Sequence, residues 1–146
     1  MQIEIKIDPA CTEPRLMVIT DKMTDEIQAI VKKLTEDTPQ MISGFREDKL
    51  EILEQTDIIR VYAAAGKVLA VTGQGEYVLR LRLYELEQRL DKNSFVRISN
   101  SEIINLRKVK GFDLSFAGTI CVILSNGSIT YVSRRYVSKI KQVLGI

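Results

Sequence analysis

The chain after Pro39 is cut at short intervals by turn-forming residues, and this punctuation constrains its fold more than any other feature. Ala65-Gly66, Gly73-Gln74-Gly75, Ala117-Gly118 and Asn126-Gly127 separate apolar or alternating runs too short for helices of ordinary length. The pattern predicts strands at about 41–45, 49–53, 58–63, 67–72, 75–82, 95–98, 108–116, 119–124 and 128–132. Two stretches have helical spacing instead. Leu83, Leu86 and Leu90 make one face of a short helix, and Val137, Ile140 and Leu144 face inward on a helix over 134–144. Ser133 is positioned to cap the second helix, and Gly145 to stop it. The segment near Asn100–Leu106 reads as a short turn or a single helical turn. Gly73-Gln74-Gly75 lacks a helix start and the rest of a nucleotide fingerprint, so it reads as a hairpin turn.

The first 39 residues have another character. Ile3, Ile5 and Ile7 alternate with Glu4, Lys6 and Asp8, the period of a half-buried strand, and Arg15–Thr20 reads as a second strand. Thr20 or Asp21 caps a helix reaching about Glu36, with Ile27, Ile30, Val31 and Leu34 as its apolar stripe. Pro39 ends it. The expected organisation is a β–β–α leader over 1–39, a candidate dimerisation element, and a mostly β (α+β) body over 40–146. The leader is too short for a phosphorylatable receiver domain.

A chain of 146 residues, 45% of them hydrophobic, can bury one domain core with a small appendage. It has no apolar run long enough for a membrane span, and charges interrupt its start where a signal peptide needs an apolar core. The expectation is a cytoplasmic protein without membrane insertion. Cys11 and Cys121 lie far apart, in no metal-ligand spacing, and read as reduced thiols. There is no histidine, which removes Ser-His-Asp and Cys-His catalysis and the commonest zinc ligand. The acid pairs Asp25-Glu26, Glu36-Asp37, Glu47-Asp48 and Glu85/Glu87 are scattered and solvent-facing, so an enzyme is the weakest class. No cofactor and no metal are expected.

Charge is unevenly spread. Residues 1–57 hold 13 acids and 7 bases, whereas 58–146 hold 6 acids and 14 bases. The net +2 therefore combines about −6 in the first part with about +8 in the second. A basic body suits a polyanion, because neutralising phosphates supplies most sequence-independent affinity for nucleic acid.

The stretch Phe95–Lys110 concentrates this chemistry. It carries Arg97, Arg107, Lys108 and Lys110 with Glu102 as its only acid, interleaved with Ser99, Asn100, Ser101 and Asn105. An Arg and an Asn held close together can address a phosphate and a base edge at once, although an ordinary solvated β-loop with an Asn-centred turn has the same composition.

Phe95, Arg97, Asn100, Ser101, Ile103, Ile104 and Asn105 together resemble the signature of the LytTR family. These are DNA-binding domains of bacterial transcription regulators that lack a helix-turn-helix, and the likeness extends from about Gln40 to the C-terminus. The resemblance implies an elongated multi-sheet β fold with short flanking helices. It implies loops that enter successive major grooves of double-stranded DNA, as in response-regulator-like proteins. Asn100 matches a base-contacting position, and Ser99 stands where many members carry His. Arg135 matches a C-terminal arginine that reaches DNA, with Arg134 beside it, and Lys67 lies near a third contact region. Arg97 either touches phosphate or braces its loop, since arginine serves both tasks. Ser101 and Asn105 are expected to support the loop. The implied partners are DNA, a second copy on paired sites, and a regulatory protein. Two rivals remain: a protein-interaction module docking through the acidic leader, and a nonspecific RNA binder, for which exposed aromatics are few.

Overall fold

Three apolar doublets, Ile58-Ile59, Phe95-Val96 and Ile103-Ile104, explain the layering of the molecule. Neighbours along a strand point to opposite faces, so a strand with both members of a doublet buried must be covered on both sides. The computed structural model describes residues 1–35 and 41–146. Its elements run α1 (Asp25–Thr35), β1 (Ile42–Arg46), β2 (Lys49–Leu53), β3 (Ile58–Ala64), β4 (Lys67–Thr72), β5 (Gly75–Leu79), α2 (Leu83–Arg89), β6 (Phe95–Ser99), β7 (Glu102–Asn105), β8 (Val109–Asp113), β9 (Ile120–Leu124), β10 (Ile129–Val132) and α3 (Arg134–Leu144). The chain divides into a first unit, Met1–Asp37, and a second, Thr38–Ile146.

The second unit is mostly β. Seven strands form an antiparallel sheet in the order β2-β1-β5-β4-β3-β7-β6, and β10-β9-β8 form a smaller one. One core lies on one face of the large sheet and gathers Ile58, Val61, Tyr77, Phe95 and Ile103 with Leu83, Leu86 and Leu90 of the α2 region. The other gathers Ile59, Val96, Ile98 and Ile104 with Ile120, Val122 and Leu124 of the small sheet and Ile140 of α3. The doublets are thus split between two cores, at the end of the sheet where the chain is covered twice. Burying each such side chain contributes about 1.5–3 kcal/mol.

Turn chemistry accounts for the hairpins. Ala64 pairs with Lys67, so Ala65 and Gly66 form a two-residue turn, both with positive φ (51° and 76°). Gly73-Gln74 closes the next hairpin between Thr72 and Gly75, with the Gln74 N–H donating to Thr72 Oγ1. At Asn126-Gly127 the sequence reads as a two-residue hairpin, but the loop is one residue longer. The Gly127 N–H donates to the Leu124 carbonyl and Gly127 has φ 85°, giving a Ser125–Gly127 turn with glycine in the left-handed position.

Three expectations are corrected. The segment expected as a turn near Asn100–Leu106 contains β7, a strand buried along its whole length between β3 and β6. A short continuous buried run has no amphipathic period, so spacing alone could not declare it a strand. Second, α1 starts at Asp25, after Thr20 and Asp21, because Thr24 Oγ1 accepts the Ile27 N–H; its expected end at Glu36 and Pro39 lies outside the described residues. Third, residues 2–8 and 15–20 hold no strand in the single chain, and their apolar side chains are exposed. Alternation encodes one face of a sheet but not a neighbour to pair with, and a lone hairpin is marginal in water.

Asn105 fastens the doubly covered strands at one end. It is 1% exposed, its Nδ2 donates to the Ile58 carbonyl at 2.8 Å, and its Oδ1 accepts the Arg107 N–H at 3.0 Å. The Ile58 carbonyl lies at an irregularity in the β3–β4 register, where ladder bonding is interrupted. Asn105→Ala is expected to leave that carbonyl unpaired and to destabilise the fold by about 1–3 kcal/mol. Urea denaturation checks this as a lowered midpoint with an unchanged slope.

Candidate nucleic-acid interface

The turn between β6 and β7 is held rigid by its own arginine. Arg97 donates from Nε to the Ser99 carbonyl at 2.7 Å and from Nη2 to the Asn100 carbonyl at 2.5 Å, and its Nη1 pairs with Glu87 of α2. All three guanidinium nitrogens are engaged within the protein. Ser99 Oγ accepts the Ser101 N–H at 3.2 Å and lies 3.3 Å from Ser101 Oγ. The turn therefore presents the exposed Asn100 side chain from a backbone fixed on both sides.

Glu102 anchors the same turn from below. This buried carboxylate accepts from Arg60 Nη1 at 3.0 Å and from Thr130 Oγ1 at 2.7 Å, joining β3, β7 and β10 across the two sheets. Both oxygens are used, which is what a buried charge requires. Arg60 also stacks over the Tyr62 ring at 4.4 Å, and Tyr62 donates its hydroxyl to Glu76 at 3.1 Å. Burial, with Glu76 next, raises the Tyr62 pKa.

Two other segments converge on the Asn100 turn. The Ala63 N–H donates to the Ser101 carbonyl at 2.8 Å, and Tyr62 pairs with Glu102, so the β3–β4 turn carrying exposed Lys67 lies beside the β6–β7 turn. The Ser133 N–H donates to the Ile98 carbonyl at 2.9 Å, bringing the start of α3 to β6. Tyr136 Oη lies 3.4 Å from Asn100 Oδ1. Ser133 occupies the N-cap position, but its side chain makes no cap bond; it is the main chain of Ser133 that ties the junction to the sheet. Arg134 and Arg135 follow it, both exposed. Lys67, Ser99, Asn100, Arg134 and Arg135 thus occupy three neighbouring segments at one end of the large sheet. The Asn105 side chain bonds backbone below them, whereas Ser101 is held through its main chain, its N–H donating to Ser99 Oγ and its carbonyl accepting the Ala63 N–H.

Sequence reading missed several supporting residues. Glu87 reads as half of a solvent-facing acid pair, yet it holds Arg97, while Glu85 accepts the Arg82 N–H at the start of α2. Tyr136, Arg60 and Thr130 carry no local signal. Glu102 did carry one, as a lone acid within a basic, apolar stretch.

An extended end of a β-rich domain, with exposed cations and an amide on loops braced from behind, is suited to a nucleic-acid duplex. Comparison with known proteins specifies the class. The family model of the LytTr DNA-binding domain matches residues 48–145, and the chain belongs to that family. It is also similar to HTH-type transcriptional regulators of Staphylococcus aureus. The relative from strain MSSA476 is 33% identical over 147 residues, covering 100% of this chain and 99% of the relative. The relative from strain MRSA252 is 32% identical with the same coverage. Among solved structures, a LytTr DNA-binding domain from Bacillus cereus shares the fold with a TM-score of 0.70 at 23% identity, covering 73% of this chain and 97% of that one. Strands separate α1, α2 and α3, so no helix-turn-helix pair occurs among the described residues.

The bracing role of Arg97 is testable. Arg97→Lys replaces a fork with a point charge that cannot serve three partners, and is expected to lower the melting temperature and weaken specific binding to a selected duplex. Arg97→Ala should leave the salt dependence of binding unchanged, since no phosphate contact is removed. Titrating both variants at several salt concentrations checks this; a slope reduced by about one would place Arg97 on a phosphate.

Proposed function

We propose that this chain is a sequence-specific DNA-binding transcription regulator that reads successive major grooves with loops instead of a recognition helix. The observation that carries the reading is the convergence of the Asn100 turn and the Arg134–Arg135 junction on one end of the large sheet. Family membership and full-length similarity to transcriptional regulators support it. Asn100 supplies the base contact, its carboxamide matching an adenine edge. Arg135 and Arg134 grip phosphate or fork onto guanine at the start of α3, and Lys67 adds a flanking phosphate contact. Ser99 contributes a hydroxyl to the same surface. The domain acts by occupancy, without catalysis, and as a dimer on paired sites. It works where the DNA is, in the cytoplasm, and answers to a regulatory protein partner. No helix among the described residues is long and apolar enough to cross a membrane.

Selection of bound duplexes from a random pool, at two salt concentrations, tests the reading directly; enrichment of no motif would overturn it. On the enriched site, Asn100→Ala is expected to cost about 1–3 kcal/mol of binding while affinity for random duplex hardly changes. Equal loss on both duplexes would make Asn100 a structural residue.

Arg135→Ala is expected to weaken binding with the melting temperature nearly unchanged. No acid occurs between Asn126 and Ile146, so the arginine has no ion-pair partner within its own helix. A phosphate contact would also reduce the salt slope by about one. Fluorescence anisotropy across a salt series, alongside a thermal melt, separates binding from folding.

A further inference from the structure

The first unit leaves its apolar side chains uncovered. Ile3, Ile5, Ile7, Leu16, Met17 and Ile19 are each at least 70% exposed. In an extended backbone, Ile3, Ile5 and Ile7 fall on one face and Gln2, Glu4, Lys6 and Asp8 on the other. Such a segment, whose last carbonyl at Asp8 is bonded to the Cys11 N–H in the following turn, offers strand edges for pairing and one adhesive face.

We propose that Gln2–Asp8 pairs antiparallel with the same segment of a second copy of this chain, about a two-fold axis through Ile5. Charge and two-fold closure together select this register. Centred on Ile5, the pairing sets Glu4 opposite Lys6 of the partner and Lys6 opposite Glu4, with Gln2 opposite Asp8. Ile3 meets Ile7 and Ile5 meets Ile5 on the other face. A parallel, in-register pairing would stack Glu4 on Glu4, Lys6 on Lys6 and Asp8 on Asp8. An antiparallel pairing moved two residues one way opposes Glu4 to Glu4; moved the other way, it opposes Lys6 to Lys6 and Glu4 to Asp8. Shifts by one residue set isoleucines against charges and break both faces. Like charges directly opposite are destabilising, which leaves this register and a parallel one shifted by two residues, and the parallel one is heterologous and does not close at two copies. A two-fold contact of this kind is self-complementary and closes at two copies. Residues 15–20 and the stripe of α1, where Val31 and Leu34 remain partly exposed, extend the apolar surface available to the same assembly.

The inference deepens the paired-site reading of the proposed function, since it supplies the dimer, but it is tested without DNA. Sedimentation equilibrium of the full chain at low salt should give twice the 16.6 kDa chain mass. Glu4→Lys and Lys6→Glu should each weaken self-association about tenfold or more, because both symmetric charge pairs become repulsive. The double variant Glu4→Lys/Lys6→Glu should restore the homodimer. Mixing the two single variants should yield a heterodimer, as all opposed charges are then of opposite sign. A monomeric wild type, a double variant no better than the singles, or a mixture without heterodimer would each overturn the strand pairing. None of these outcomes touches groove reading by a single domain, which the duplex selection tests separately.

Discussion

The placement of β7 between β3 and β6 is the constraint on which the rest of the second unit depends. This four-residue strand is buried throughout, so its backbone must be paired on both edges and its two polar side chains satisfied internally. Glu102 meets the demand at one end through Arg60 and Thr130, and Asn105 at the other through Ile58 and Arg107. Ile103 and Ile104 between them each enter a different core. The strand therefore fixes the spacing of both sheets and the height of the turn that precedes it.

A buried Glu–Arg pair is a poor way to gain stability, because desolvation offsets much of the attraction. Its use here is positional. Glu102 immediately follows the turn that carries Asn100, and its bond to Thr130 ties that turn to β10, four residues before the start of α3 at Arg134. The Ser133–Ile98 main-chain bond makes a second tie between the same segments. Polar groups that would read a duplex are thus mounted on loops whose own freedom has been removed, so little ordering remains to oppose binding.

Much of the second unit is legible from residue order. The hairpins follow from glycine-marked turns, and the bounds of β2, β4 and α3 agree with those read from spacing. β8 ends before the expected limit because Asp113 Oδ1 accepts the Ser115 N–H and hydroxyl, turning the chain. Those bonds also hold the Asp113 carboxyl below its ordinary pKa. β7 was not legible, since a run of four buried residues lacks the repeats that periodicity needs. The leader failed in the opposite way: its alternation is clear, but a strand exists only where a neighbour completes its hydrogen bonds.

By itself the sequence determined where the chain turns, which side chains seek a core, and that the residues after Asp57 carry the excess of positive charge. These are local properties, set by φ preferences, side-chain polarity and spacing along one segment. Tertiary structure decided the partners. Residue order leaves open what Arg97 faces, and in the fold Glu87, ten residues earlier on α2, and two loop carbonyls bond its nitrogens. Lys67, Asn100 and Arg135 are separated by more than thirty residues at each step, yet antiparallel pairing of β3 with β7 and the bond from Ser133 to Ile98 gather their segments at one end of a sheet. Such contacts arise from the register of strands far apart in the chain, and no window of sequence contains both sides of them.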